Sequence, residues 1–168
     1  MRRLRARISA VDAVARFGGK YNVDVYLGDA RFTGPRTLEV GGRQLEFDRA
    51  VIATGGRPAE VAIPGLKDAG FLTSETVFTL TRLPRRLAVI GGGPIGCELA
   101  QAFARLGSQV SQVEMAPRLM LREDEEVSAL VQQSLEADGV QVLTGHKALR
   151  CELHDRRKVL IEIGRAHV

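Results

Sequence analysis

The stretch RLAVIGGGPIGCELAQAF (86–103) holds Gly91, Gly93 and Gly96 in the spacing G-x-G-x-x-G. Glycines so spaced can bring peptide N–H groups up to a phosphate; the other reading is the same turn in a half-domain that binds no ligand. The first permits a tight turn, the second lets a pyrophosphate approach the backbone, and the third lets the following helix pack close to the preceding strand. The helix then meets the anion with unpaired amides and the positive end of its dipole. Pro94 and Ile95, between the second and third glycines, are counted with them as cofactor-binding residues. Ala100 takes a further small position along the helix. Glu114, eighteen residues after Gly96, can accept hydrogen bonds from an adenosine ribose diol. A 2′-phosphate there would meet a like charge, which favours NAD over NADP; Arg118, four residues on, is the feature that keeps NADP open.

A bare glycine triplet is weak evidence, so the flanking elements decide its meaning. LAVI (87–90) is a short continuous apolar run, as expected of a parallel strand buried on both faces. A helix is predicted over 95–107, with Ile95, Leu99, Phe103 and Leu106 as its apolar positions and Gly107 as its stop. QVSQVE (109–114) is a second strand. A second helix is predicted over 122–139, where the acidic run 123–126 complements the helix dipole. VQVLTG (140–145) is a third strand. Strand, helix, strand, helix, strand is the βαβαβ mononucleotide-binding half of an α/β, Rossmann-like fold. KALRCEL and KVLIEI then read as a short antiparallel pair.

The chain before residue 84 has a different texture. MRRLRARISAVDAVARF reads as a helix with Val11, Val14 and Ala15 at helical spacing, in preference to an arginine-rich transit peptide. VDVYL (23–27), ARF (30–32), TLEV (37–40) and RQLEF (43–47) read as strands separated by glycine-rich turns, a β-meander. RAVIATG (49–55) reads as one buried apolar strand centred on 50–53. Residues 57–70 form a connector, and SETVFTL (74–80) a short helix with Ser74 as N-cap and Val77 and Leu80 turned inward.

Composition excludes several classes. Hydrophobic residues make 45% and charged residues 26% of the 168, the balance of an ordinary globular protein. No apolar run reaches about 18 residues, so no membrane span is expected. The net charge is +4, but the arginines are scattered and no nucleic-acid module accompanies them, so no nucleic-acid partner is expected. Two cysteines, Cys97 and Cys151, do not make a secreted disulfide scaffold; a cytoplasmic location is the default. Cys97 reads as a small packing residue. His146, Cys151 and His154 lack the paired spacing of a zinc site, so no metal is expected.

With VIATGGRPAEVAIPGL and VIGGGPIGCELAQAFARLG both in view, the chain resembles the pyridine nucleotide–disulphide oxidoreductases over residues 4–161. Within that group it is most similar to the mercuric reductase and dihydrolipoamide dehydrogenase branch. The resemblance implies that 1–83 is the C-terminal part of an FAD-binding domain and 84–161 an NAD(P)-binding domain. It implies that NAD(P)H passes a hydride to FAD, then to a disulphide and a substrate, in a homodimeric parent. Ala53, Thr54 and Gly55 match the segment lying near the flavin nucleotide. Glu98 matches an acidic residue that lies by the nicotinamide in relatives; its other reading is a helix carboxylate facing solvent.

Several family features have no counterpart here. There is no N-terminal G-x-G-x-x-G and no C-x4-C pair, since Cys97 and Cys151 lie 54 positions apart. The closing FAD segment and the dimerisation domain are likewise expected but not found, so the chain reads as a fragment that does not turn over alone, with exposed sheet edges and poor solubility. The alternative is a free-standing NAD-binding regulatory module. EIGRAHV (162–168) equals the translation of a common sequencing-library adapter, and is expected to be read-through rather than part of the encoded protein.

Overall fold

The computed structural model describes residues 2–9, 13–59, 61–155 and 157–164. Two compact units divide the chain between Arg57 and Pro58.

In the first unit, helices α1 (Arg2–Ser9) and α2 (Val14–Tyr21) precede three strands, β1 (Ala30–Gly34), β2 (Thr37–Val40) and β3 (Arg43–Glu46). The strands pair antiparallel in chain order, with Phe32 opposite Leu38 and Leu38 opposite Leu45. Gly41 and Gly42 join β2 to β3 at φ +56° and +77°. Both central residues of a tight hairpin turn need positive φ, which glycine adopts without a Cβ clash. Three of the four strands predicted for the meander therefore form.

Three readings of this unit need correction. The N-terminal helix is two helices; Val11 lies outside the described residues, and Val14 and Ala15 are exposed rather than buried. Residues 23–27 are not a strand. Nor are 49–55, where Val51 is 91% and Ile52 73% exposed. A strand is held by a hydrogen-bonded neighbour, and among the described residues neither segment has one.

The second unit runs α3 (Leu66–Ala69), a 3-10 turn (Val77–Thr79), β4 (Arg86–Ile90), α4 (Pro94–Arg105), β5 (Gln109–Glu114), α5 (Glu125–Ala137), β6 (Gln141–Thr144), β7 (Lys147–His154) and β8 (Arg157–Ile163). Strands β4, β5 and β6 form a parallel sheet in that order, and β7 and β8 an antiparallel pair. Ile90 stands opposite Val113, and Glu114 opposite Thr144. Of the C-terminal heptapeptide, Glu162 and Ile163 lie in β8, Gly164 follows, and 165–168 lie outside the described residues.

The core of this unit is Cys97 and Ala100 of α4, Val110, Leu119, Leu135 and Val140. The large residues expected to turn inward on α4 do not all do so: Ile95 is 57% and Leu106 63% exposed. The small side chains of Cys97 and Ala100 face the sheet where the helix lies close to it, with Phe103 packing partly against the core further along. At 74–80 the helix is only a 3-10 turn. Its N-cap position is Thr76, not Ser74, and carries no side-chain cap; the Thr73 hydroxyl accepts the amides of Glu75 at 3.3 Å and Thr76 at 3.4 Å in the turn before it. Val77 is buried there, whereas Leu80 is 37% exposed.

The connector is fastened to the second unit. The Cys151 amide donates to the Pro64 carbonyl at 2.8 Å, and Lys158 Nζ donates to the Gly70 carbonyl at 2.9 Å. No helix among the described residues is long and apolar enough to cross a membrane.

Candidate dinucleotide-binding site

The glycine turn joins the end of β4 to the start of α4, at the carboxyl edge of the parallel sheet. Ligands of open α/β sheets bind outside this edge. Each glycine has a distinct geometric reason to be there. Gly91 holds φ +108°, a conformation L side chains rarely adopt. A Cβ on Gly96 would fall 2.3 Å from the Gly91 carbonyl oxygen, so only glycine lets α4 approach β4. A Cβ on Gly93 would point into open space; nothing in the fold needs that position bare, and a close-approaching ligand would. Gly93, Pro94 and Ile95 are exposed. Pro94 opens α4, where its missing N–H removes no helical bond.

Gly92, which the spacing rule ignores, is buried beneath Leu119 and Glu114. Its amide donates to Glu114 Oε2 at 2.5 Å, and the Ala116 amide donates to Glu114 Oε1 at 2.6 Å. The carboxylate predicted to face a ribose is thus pinned by two backbone amides, one from the glycine turn itself. A carboxylate oxygen has two acceptor directions, so each oxygen keeps one for a hydroxyl donor.

The loop after β5 closes over the turn. The Met120 amide donates to the Gly92 carbonyl at 2.7 Å, with Met120 in the left-handed region at φ +49°. Arg118 Nη1 donates to the carbonyls of Met120, at 3.3 Å, and Glu123, at 2.8 Å, so Arg118 fastens this loop. The loop is also tied to the end of β6, because the Gly145 amide donates to the Ala116 carbonyl and the His146 amide to the Glu114 carbonyl.

Cys97 sits under the turn, 6% exposed. Its thiol donates to the Gly92 carbonyl at 3.5 Å, and burial raises its pKa above the ordinary value, more than the Gln112 amide lowers it. This is a packing cysteine, as the sequence suggests. Glu98, exposed on the next turn of α4, borders a groove of about 200 Å³ together with Pro94, Cys97, Gln101 and Met120.

The structure therefore gathers Gly91, Gly93, Pro94, Ile95, Gly96 and Glu114 into one place, with Glu98 one helical turn away. Ala53, Thr54 and Gly55 belong to the first unit, where all three are exposed. His146, Cys151 and His154 do not converge. His146 faces Glu162 at 3.8 Å and His154 pairs with Glu152 at 2.8 Å; among the described residues no three metal-ligating side chains of His, Cys, Asp or Glu type cluster. Sequence reasoning missed Gln112, Leu119 and Met120. Gln112 shares its face of β5 with Val110 and Glu114, so nothing in the strand's pattern marks it out.

A parallel βαβαβ unit carrying this turn defines a Rossmann-like dinucleotide-binding fold. The sequence profile of the pyridine nucleotide-disulphide oxidoreductases matches residues 6–165, and the chain belongs to that family. It is 38% identical over 144 residues to a mercuric reductase of Bacillus cereus, an alignment covering 85% of this chain and 23% of that protein. It is 39% identical over 137 residues to a dihydrolipoyl dehydrogenase of Bacillus subtilis, covering 79% of this chain and 30% of the relative. The chain thus spans about a quarter to a third of the length of these relatives. Among solved structures, the copper(II) complex of an HOCl-induced flavoprotein disulfide reductase from Escherichia coli superposes with a TM-score of 0.73. That match has 26% identity and covers 88% of this chain and 36% of that one.

Proposed function

We propose that the turn Gly91–Gly96 binds the pyrophosphate of NAD and that Glu114 accepts the hydroxyls of its adenosine ribose. The observation that carries this reading is the pinned Glu114 carboxylate beside the open space at Gly93. The amides at the start of α4 have no intrahelical acceptor and supply the anion contacts. Gly93 leaves room for the phosphates, and Gly96 sets the helix close enough to present those amides. Glu114 holds a negative charge where NADP carries its 2′-phosphate, so NAD is the favoured cofactor.

When bound, the nicotinamide supplies a hydride. In the whole protein, on the strength of the family, the acceptor is FAD near Ala53, Thr54 and Gly55. Electrons then pass to a disulphide or a metal–thiol substrate, as in mercuric reductase, with Glu98 beside the nicotinamide. The resemblance further supports a cytoplasmic homodimer. The 168 residues contain no C-x4-C pair, so the chain alone is expected to bind NADH without passing electrons on.

The test is fluorescence titration of the 168-residue chain with NADH and NADPH. Saturable binding with NADH several-fold tighter is expected; no binding of either nucleotide overturns the reading. Stable NADH binding by a monodisperse chain with no sign of flavin in any longer gene product would favour the regulatory-module alternative.

A further inference from the structure

We infer that Gln112 is a positioning residue for the nucleotide turn, an inference that rests on the NAD reading above. Gln112 lies in the middle of β5 and is fully buried, at 0% exposure. Its Nε2 donates to the Gly91 carbonyl at 3.0 Å and lies 3.5 Å from Cys97 Sγ. The same nitrogen lies 3.3 Å from where a Cβ on Gly96 would stand. The side chain therefore sits beneath the first and third glycines together. Its orientation is fixed by chemistry, since the Gly91 carbonyl can only accept and the amide nitrogen must face it.

Three consecutive residues of β5 grip the turn. The Val113 carbonyl accepts the Gly91 amide at 2.8 Å, Gln112 donates to the Gly91 carbonyl, and Glu114 accepts the Gly92 amide. The Gly91 carbonyl and the Gly92 amide share one peptide plane, and with both held, by Gln112 and Glu114, that plane cannot rotate and the amides that follow stay aimed at the ligand. This rigidity carries a cost: Gln112 Oε1 is buried with no hydrogen-bond partner among the described residues. An apolar side chain would fill the same space without that orphaned acceptor, but it would take the donor from the Gly91 carbonyl. Packing alone therefore does not account for glutamine here, whereas turn geometry does.

Gln112→Met separates the two roles, because it keeps side-chain length and exchanges one unpaired acceptor, Gln112 Oε1, for another, the Gly91 carbonyl, so that the two effects on stability oppose each other. The thermal midpoint is expected to stay near that of the wild type. The NADH dissociation constant is expected to rise about tenfold, because a turn no longer held must be ordered on binding. Wild-type affinity in a folded Gln112→Met chain overturns the inference and leaves the NAD reading intact. A wild-type chain that binds no NADH removes both.

Should Gln112→Met lack a cooperative transition, Gln112→Glu decides. A protonated carboxyl can donate to the Gly91 carbonyl and an ionised one cannot. NADH affinity, corrected for the folded fraction by circular dichroism, is then expected to fall between pH 6 and about 9 relative to wild type. A parallel pH profile for the two chains overturns the inference.

Discussion

Glu114 at the end of β5 accepts the amide of Gly92 from the neighbouring β4–α4 turn at 2.5 Å. The residue proposed to read the ribose also holds the shape of the loop proposed to bind the phosphates. On the proposed reading, affinity and turn geometry would be coupled through one carboxylate.

Glu114→Gln tests that coupling. Both protein partners of the carboxylate are donors, Gly92 N–H and Ala116 N–H, and a glutamine offers one oxygen and one NH2. One amide must then face a donor. Hydrogen bonds to charged groups contribute about 1.5–3 kcal/mol, so NADH affinity is expected to fall at least about tenfold. The NADH-to-NADPH preference should shrink as the like charge disappears, read by parallel fluorescence titrations. An unchanged preference would assign Glu114 to the turn alone.

Gly93→Ala and Gly96→Ala should behave differently despite their closeness. At Gly93 the added methyl meets open space, so the melting temperature should hold while NADH binding is lost. At Gly96 it meets the Gly91 carbonyl oxygen at 2.3 Å, so stability and binding should both fall. Overpacking of this kind typically costs about 1–3 kcal/mol. Equal loss of stability in both variants would contradict the open space at Gly93.

The parallel unit was legible because its signals are local and agree with one another. QVSQVE is strand β5 to the residue, and Gly91, Gly93 and Gly96 occupy the turn that their spacing implies. What escaped was set by tertiary packing. The face of α4 is only partly legible: Phe103 packs against the core as its hydrophobicity suggests, but beside it stand Cys97 and Ala100, while Ile95 and Leu106 are exposed. RAVIATG has the composition of a buried strand, but composition cannot supply a ladder partner, and Val51 and Ile52 stand exposed without one. Met120 has no sequence signature for its left-handed backbone, which arises from the loop folding back onto Gly92. Gln112 is one of several polar residues in QVSQVE, and only the fold shows that it is buried under Gly91.

Gly65 is a structural glycine of a different kind. It precedes α3 at φ +73°, and a Cβ there would lie 2.0 Å from the Cys151 carbonyl oxygen on β7. Gly65→Ala therefore combines backbone strain with a clash against main chain. It should loosen the connector from the β7–β8 pair, at a cost of about 1–3 kcal/mol for the strained conformation alone. Hydrogen exchange should accelerate in peptides covering 62–70 and 147–154 while those covering 86–114 keep their protection. Uniform acceleration would mean that the connector and the parallel sheet unfold together.

Cys97 gives the second unit an alkaline weakness with a definite sign. Burial is the largest influence on its thiol, and the nearby Glu114 and Glu98 charges act in the same direction; the Gln112 amide opposes them, and the net result is a pKa raised above the ordinary 9.0. The folded thiol keeps its proton at a pH where the thiol of the unfolded chain has ionised. The unfolded state then binds fewer protons than the folded one, so stability falls with rising pH. The contribution is complete below about pH 9 and is lost as pH climbs through the folded pKa. Cys97→Ala should be less stable than wild type at pH 7.5, because a buried side chain is shortened. The gap should narrow steadily from about pH 8.5 to 10.5 in urea denaturation, since only the wild type has this thiol to ionise. A gap that stays constant over that range would mean that the buried thiol and the unfolded one titrate alike. Labelling should agree: at pH 7.5 a thiol reagent should modify the half-exposed Cys151 and spare the buried Cys97, and urea should render both reactive.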